Sequence, residues 1–268
     1  MKKSAFVPLA CLALCPVLPL HAAISVPTPA FTYAENFDAL TSLTTPATAW
    51  VNEITLTGWN LFISTGGAAA TIAADNGGSN AGTFRSYGAT GSGERAFGGL
   101  ASGGTYFGSP LSTAVAGWIA VSFSNNTGAP LSAFTLGFEG EQWRNGGNTS
   151  AQNMVLEYGV GASFASVTSW TAPGGGFDWT SPVIGASAAA VVGNSAGRVT
   201  ALGGSINLNW AAGDTLWLRW VERNDVGNDH GLAIDNLSFS VTAVPEPNTG
   251  LMLFAGLAAV GLVLRRRC

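Results

Sequence analysis

The stretch Thr215-Leu-Trp-Leu-Arg-Trp-Val-Glu-Arg223 decides the fold. In an extended chain Leu216, Leu218 and Trp220 point to one side and Trp217, Arg219 and Val221 to the other, the period of two expected of a strand. The same alternation returns at Ile119, Val121 and Phe123, at Phe134, Leu136 and Phe138, and at Met154, Leu156 and Tyr158. It returns again at Ile206, Leu208 and Trp210 and at Leu237, Phe239 and Val241. Turn-forming runs separate these segments: Asn125-Asn-Thr-Gly128, Pro173-Gly-Gly-Gly176 and Ala212-Gly-Asp214. No internal stretch carries the 3.6-residue period of a helix. The pattern predicts an all-β protein built as an antiparallel β-sandwich or jelly roll.

Upstream the signal weakens. Val26-Pro27-Thr28-Pro29 suggests an extended lead-in, and residues 31–38, which hold Glu35, Asn36 and Asp38, suggest a first strand. Residues 66–104 carry Gly, Ser, Ala or Asn at nearly every other position, and periodicity places no strand there.

The two ends have a different character. Residues 1–23 form a secretory signal peptide, with Lys2 and Lys3 first, an apolar run next and His21-Ala22-Ala23 for cleavage. Cys15 does not make it a lipoprotein leader, because Leu14 stands where a small residue is needed. Residues 24–243 are the body. Residues 244–268 hold Pro245-Glu246-Pro247, an uncharged apolar run over 250–264, and Arg265, Arg266 and Arg267. A fifteen-residue helix is roughly 22 Å long, short of a hydrocarbon core of about 30 Å. Such a helix is a marginal membrane span, and the Arg cluster after it should stay cytoplasmic with the body outside.

Charge and cysteine usage narrow the functions open to the body. Between Ile24 and Ala243 there are six Arg, no Lys and fourteen carboxylates, a balance that repels nucleic-acid phosphates. All three cysteines lie in the leader or the tail, so neither a disulfide nor a thiol site exists in the body. With nine Trp in the body and 47% apolar residues in the whole chain, the body must be held by its core, aided by a bound ion if one is present.

Three constellations could carry chemistry. The first surrounds Glu139, Glu141, Trp143, Arg144 and Asn145, where an aromatic face beside carboxylate, guanidinium and amide groups suits a sugar ring. The alternative is that Trp143 packs on the sandwich while Arg144 pairs with Glu139 or Glu141. The second is the polar run of Glu222, Asn224, Asp225, Asn228, Asp229 and His230, either a ligand loop or a hairpin of Asx turns. The third joins Glu35 and Asp38 near the first strand with Asp235 near the last, as a structural calcium site or as turn-capping carboxylates.

No constellation marks an enzyme. His230 is the lone histidine after the leader, there is no G-x-S-x-G, and Gly174-Gly175-Gly176 precedes neither a helix nor a Lys. Glu139 and Glu222 are a carboxylate pair whose separation only the fold sets. The chain is expected to be a non-enzyme, with a glycan-active enzyme as an alternative.

The tail closely resembles the PEP-CTERM sorting signal of Gram-negative bacteria, on the strength of Pro245-Glu246-Pro247, the apolar run and Arg265 to Arg267. That resemblance implies export by the secretion machinery, anchoring in the inner membrane, removal of the tail by an exosortase, and residence at the cell surface or beyond. Its proteins often accompany exopolysaccharide and biofilm. The stretches GTFRSYGATGSGERAFGGLASG (82–103), FEGEQWRNGGN (138–148) and LWLRWVERNDVGNDHGLAIDNLSFS (216–240) resemble a β-rich domain of secreted bacterial proteins. The expected role is binding or scaffolding of exopolysaccharide matrix, with a purely structural surface role as the alternative.

Overall fold

The computed structural model describes residues 23–42 and 47–243. The leader, Pro245-Glu246-Pro247, the apolar run and the Arg cluster lie outside them. Among the described residues fifteen strands follow one another. The first seven are β1 (Ile24–Val26), β2 (Thr32–Glu35), β3 (Thr48–Ala49), β4 (Trp59–Ile63), β5 (Thr71–Asp75), β6 (Thr83–Tyr87) and β7 (Ala96–Leu100). Next come β8 (Val115–Asn125), β9 (Leu131–Asn145), β10 (Asn153–Val160), β11 (Trp179–Thr180) and β12 (Ala189–Ala190). The chain closes on β13 (Arg198–Trp210), β14 (Thr215–Arg223) and β15 (Gly231–Ala243). Among the described residues no helix is long and apolar enough to cross a membrane.

The strands form two sheets. The first runs β1-β8-β14-β10-β11, with β4 sharing the free edge of β8 beside β1. The second runs β12-β9-β15-β7-β6-β5-β3; β13 also pairs with β9, and β2 with β15. The long strands β8, β9, β10, β13, β14 and β15 alternate between the sheets, so most successive apolar faces meet in one core. β1 ends at Val26, the first residue of the expected lead-in, and pairs in parallel with the end of β8; Pro27 to Pro29 follow it outside any strand. The first predicted strand, β2, lies against the last, with Glu35 opposite Leu237 and Tyr33 opposite Phe239.

The alternation read in the sequence becomes the core. Leu216, Leu218 and Trp220 of β14 point between the sheets and are fully buried. Trp220 stacks on Trp59 at 5.9 Å and meets the edge of Phe138 across the sandwich at 5.5 Å. At the other end Phe123 of β8 stacks on Phe239 of β15 at 3.9 Å. Each such aromatic pair contributes about 1 kcal/mol beyond its area. The region without periodicity supplies β5, β6 and β7. Every residue of β6 and β7 is buried, so neither strand has a solvent-exposed face to betray it.

The outer faces are also covered in part. On the first sheet Trp217, Phe164 and Val167 form a second cluster, flanked by Phe62, Trp118 and Trp170. On the second, Tyr87, Ala96, Trp143 and Ala233 form a third.

Candidate functional site

The turns after β9 and β14 come together at one end of the sandwich. The Gly146 N–H donates to His230 Nδ1 at 3.0 Å, a contact spanning 84 residues of sequence. Asn148 Nδ2 donates to the carbonyls of Val226 (2.8 Å) and Asn228 (3.0 Å). Gly146 is needed for this approach, because a Cβ there would sit 2.1 Å from the Asp229 carbonyl oxygen. Beside the junction lies a cleft of about 360 Å³ whose polar lining is Asn80, Ser102, Arg144, Asn224, Asn228 and Asp229. Arg144 is held in its wall by the Gly77 and Gly78 carbonyls, at 3.0 and 3.1 Å. Asp229 Oδ1 accepts the Asp225 N–H at 2.7 Å. Burial first, and then the charge of Asp225, pushes the Asp229 carboxyl up to about 7. Behind it the buried Glu222 is pushed up to about 8 by desolvation, with Asp229 and Asp225 adding to the effect.

The residues singled out in the sequence divide between this cleft and other places. Arg144 and Asp229 line the cleft. Asp225 supports Asp229 through its backbone, and Asn145 shapes the loop. The Asn145 amide donates to the carbonyls of Gly185 (3.1 Å) and Ser187 (3.2 Å), and its oxygen accepts the Gly147 N–H. His230 is 1% exposed. Its Nδ1 accepts a hydrogen bond, so Nε2–H donates to the Ser150 carbonyl at 3.2 Å. Burial lowers its pKa. This neutral, enclosed imidazole ties two loops together and presents nothing to a ligand.

Trp143 corrects the expectation of an aromatic sugar platform. It is 2% exposed, lies parallel to Tyr87 at 6.0 Å, and donates its indole N–H to Glu141 Oε2 at 2.9 Å. The outer face of the second sheet is closed over here by the chain around β12, where Gly193 lets the backbone pass against the indole. Arg144 pairs with neither Glu139 nor Glu141; Glu139 is taken by Arg198 Nε at 2.9 Å.

Glu141 points away from the cleft. It enters a separate cavity of about 140 Å³ together with Asp38, Glu94, Glu139, Asp235 and Arg198. Glu141 and Asp235 lie on the outer faces of the neighbouring strands β9 and β15, where Asp235 sits opposite Glu139 and Ala233 opposite Glu141. Asn236, with a left-handed φ of 50°, breaks the register directly after Asp235. One oxygen each of Glu94, Glu141 and Asp235 lie within 4.8 Å of one another. Glu141 and Asp235 are 1% and 2% exposed. Burial raises the pKa of both, and neighbouring carboxylates raise it further.

Of the expected calcium set, Asp38 and Asp235 do share this cavity. Glu35 does not belong to it. Its carboxylate accepts the Tyr33 hydroxyl (3.0 Å) and the Phe37 N–H (2.9 Å), and it lines a neighbouring open depression. Asp38 Oδ1 accepts the Arg95 N–H at 3.0 Å. Glu94 escaped sequence reasoning. It stands in the Gly-Ser-Gly turn before β7, and only the β7–β15–β9 pairing brings it to Asp235 and Glu141. As for Glu139 and Glu222, the first pairs with Arg198 in the acidic cavity, whereas the second is buried behind the cleft, where Gly99 would bring a Cβ to 3.1 Å from its Oε1.

Residues 243–267 match the family model of the PEP-CTERM protein-sorting motif. The chain thus ends in the signal of an exported protein that an exosortase processes, anchored in the membrane before processing and surface-bound after it. No curated protein matches the chain. Among solved structures it is similar to the K1 cleaved adhesin domain of Lys-gingipain from Porphyromonas gingivalis. Identity is 10%, the match covers 80% of this chain and 99% of that one, and the TM-score is 0.28. An exo-β-1,3-galactanase from Phanerochaete chrysosporium, in complex with galactose, is 13% identical with a TM-score of 0.24. That match takes in 68% of this chain and 29% of the galactanase. Both likenesses are too distant to carry a function across.

Proposed function

We propose that the sandwich binds polysaccharide of the extracellular matrix through the cleft between the β9 and β14 turns. The observation that carries this reading is the meeting of Arg144, from the end of β9, with Asn228 and Asp229, from the loop after β14, in an open polar cleft. Guanidinium, carboxylate and amide groups fixed by backbone contacts can donate to and accept from the hydroxyls of a sugar chain. The body's excess of carboxylates over arginines disfavours polyanionic chains, so a neutral glycan is the expected ligand. With Trp143 withdrawn into the protein, recognition rests on hydrogen bonds. The role is binding and scaffolding, not turnover.

The test is retention of the full chain during affinity electrophoresis through neutral exopolysaccharides. The wild type should be retarded, and Asp229→Asn and Arg144→Ala should each weaken retention about tenfold, the loss of roughly one charge-assisted hydrogen bond. No retardation by any neutral polysaccharide leaves the purely structural role standing. Release of reducing ends from the gel matrix would mean that the protein is an enzyme.

A further inference from the structure

The acidic cavity is separate from the cleft and calls for a different ligand. Arg198 is the cation among its lining residues, and Glu139 already holds it, while Asn236 Nδ2 donates to the same Glu139 carboxylate at 3.0 Å. Asp38 Oδ1 accepts the Arg95 N–H, and Glu94, Glu141 and Asp235 bring one oxygen each within 4.8 Å of the others. This separation is about the diameter of an oxygen shell whose members lie about 2.4 Å from a common centre. A second observation points to a missing positive partner. Asp235 is 2% exposed and its Oδ1 has no hydrogen-bond donor; Glu94 Oε1 is also buried without one. Buried carboxylate oxygens without donors are costly, and clustering like charges adds to that cost. Glu141 Oε2 does have a donor, the Trp143 indole.

We propose that Glu94, Glu141 and Asp235 bind a calcium ion that fastens the turn before β7 to strands β9 and β15. The donor set is all oxygen, with no imidazole or thiolate, which selects a hard cation over zinc or copper. Asn36, Asn194 and Asn236 line the same cavity, so amide groups border the site. Each carboxylate comes from a different one of the three sequence stretches that resemble secreted bacterial domains, and the ion would join all three. An exported protein folds where calcium is plentiful, and the expected affinity is that of extracellular modules, with a Kd of about 10⁻⁴ to 10⁻³ M.

The test is thermal melting of the chelator-treated full chain with added calcium chloride. A hundredfold excess over Kd should raise Tm by about 5 to 10 °C. Asp235→Asn and Glu141→Gln should each abolish that rise. An unchanged wild-type midpoint, or an undiminished rise in Asp235→Asn, overturns the proposal. If the variants do not fold, terbium luminescence of the wild type decides. Emission sensitised by Trp143 and displaced by calcium supports the site, and its absence overturns it.

Discussion

On the outer face of the first sheet Arg219 lies 3.7 Å above the Trp170 ring and 4.9 Å from that of Trp118, and it pairs through Nε with Glu157 at 2.6 Å. On the outer face of the second, Glu141 and Asp235 are more deeply buried, and the nearby Arg198 is committed to Glu139. In the first case a cation and its carboxylate face each other across β14 and β10 at paired positions. Aromatic faces replace the water the guanidinium loses. In the second, carboxylates from neighbouring strands share a cavity without an equal number of cations. The contrast teaches that burial alone does not explain the acidic cavity. The protein can neutralise a covered charge from its own side chains, and in that cavity Arg198 does so for Glu139, while Asp235 keeps a buried oxygen without a donor.

The contrast can be broken from either side. The largest effect is expected for Arg219→Ala, which removes the ring contacts and leaves Glu157 half-covered and unpaired. Stability should fall by about 3 kcal/mol, read from the urea midpoint. Arg219→Lys keeps the charge and loses the planar stack, and should cost roughly half as much. An equal loss in both variants would mean that the stack is unimportant.

A smaller effect is expected at Glu222, whose buried carboxyl has Oε1 without a partner. Its folded-state pKa, pushed up to about 8, lies above that of the unfolded chain, so the folded state holds the extra proton. This contribution is complete below about pH 4.5 and is lost as pH rises towards about 8, each unit costing up to about 1.4 kcal/mol. Glu222→Gln should therefore raise stability near pH 8 by on the order of 2 kcal/mol and flatten the decline in chelator-containing buffer. Denaturation at about pH 5 and about pH 8 checks both parts. An unaltered slope would place the titration elsewhere.

The smallest effect belongs to Arg198→Ala. Arg198 is 41% exposed, and its pair with Glu139 competes with water. Tm should move little, whereas calcium affinity should rise slightly, because Glu139 is freed beside the site. A large fall in Tm would show that the pair is structural.

The sandwich was legible wherever a strand keeps one face against the core and another with smaller or polar residues. β15 shows this at Leu237, Phe239 and Val241, and Leu216, Leu218 and Trp220 of β14 also enter the core, although Trp217 and Val221 on the other face of β14 are buried too. β6 and β7 escaped because a strand covered on both sides has no reason to alternate, and small residues such as Gly98 and Gly99 are what allow the close packing. The candidate sites were legible as residue types and not as assemblies. Arg144 and Asp229 stood out because charged groups are few in this chain. Glu94 did not, since nothing near it in sequence shares its cavity.

Local pattern was enough for two things: strands with a period of two, and a tail whose Pro-Glu-Pro, apolar run and Arg cluster are contiguous. Both depend on neighbours in sequence. The assignment of Trp143 to the interior, of Glu141 away from the cleft, and of Glu94, Glu141 and Asp235 to one cavity depends on strand pairing. Register between β9 and β15 sets which side chains share an outer face, and the bulge at Asn236 restores the inward direction of Leu237 after Asp235. A one-residue change in that register would turn every one of those side chains to the opposite face. Those decisions therefore belong to the folded chain.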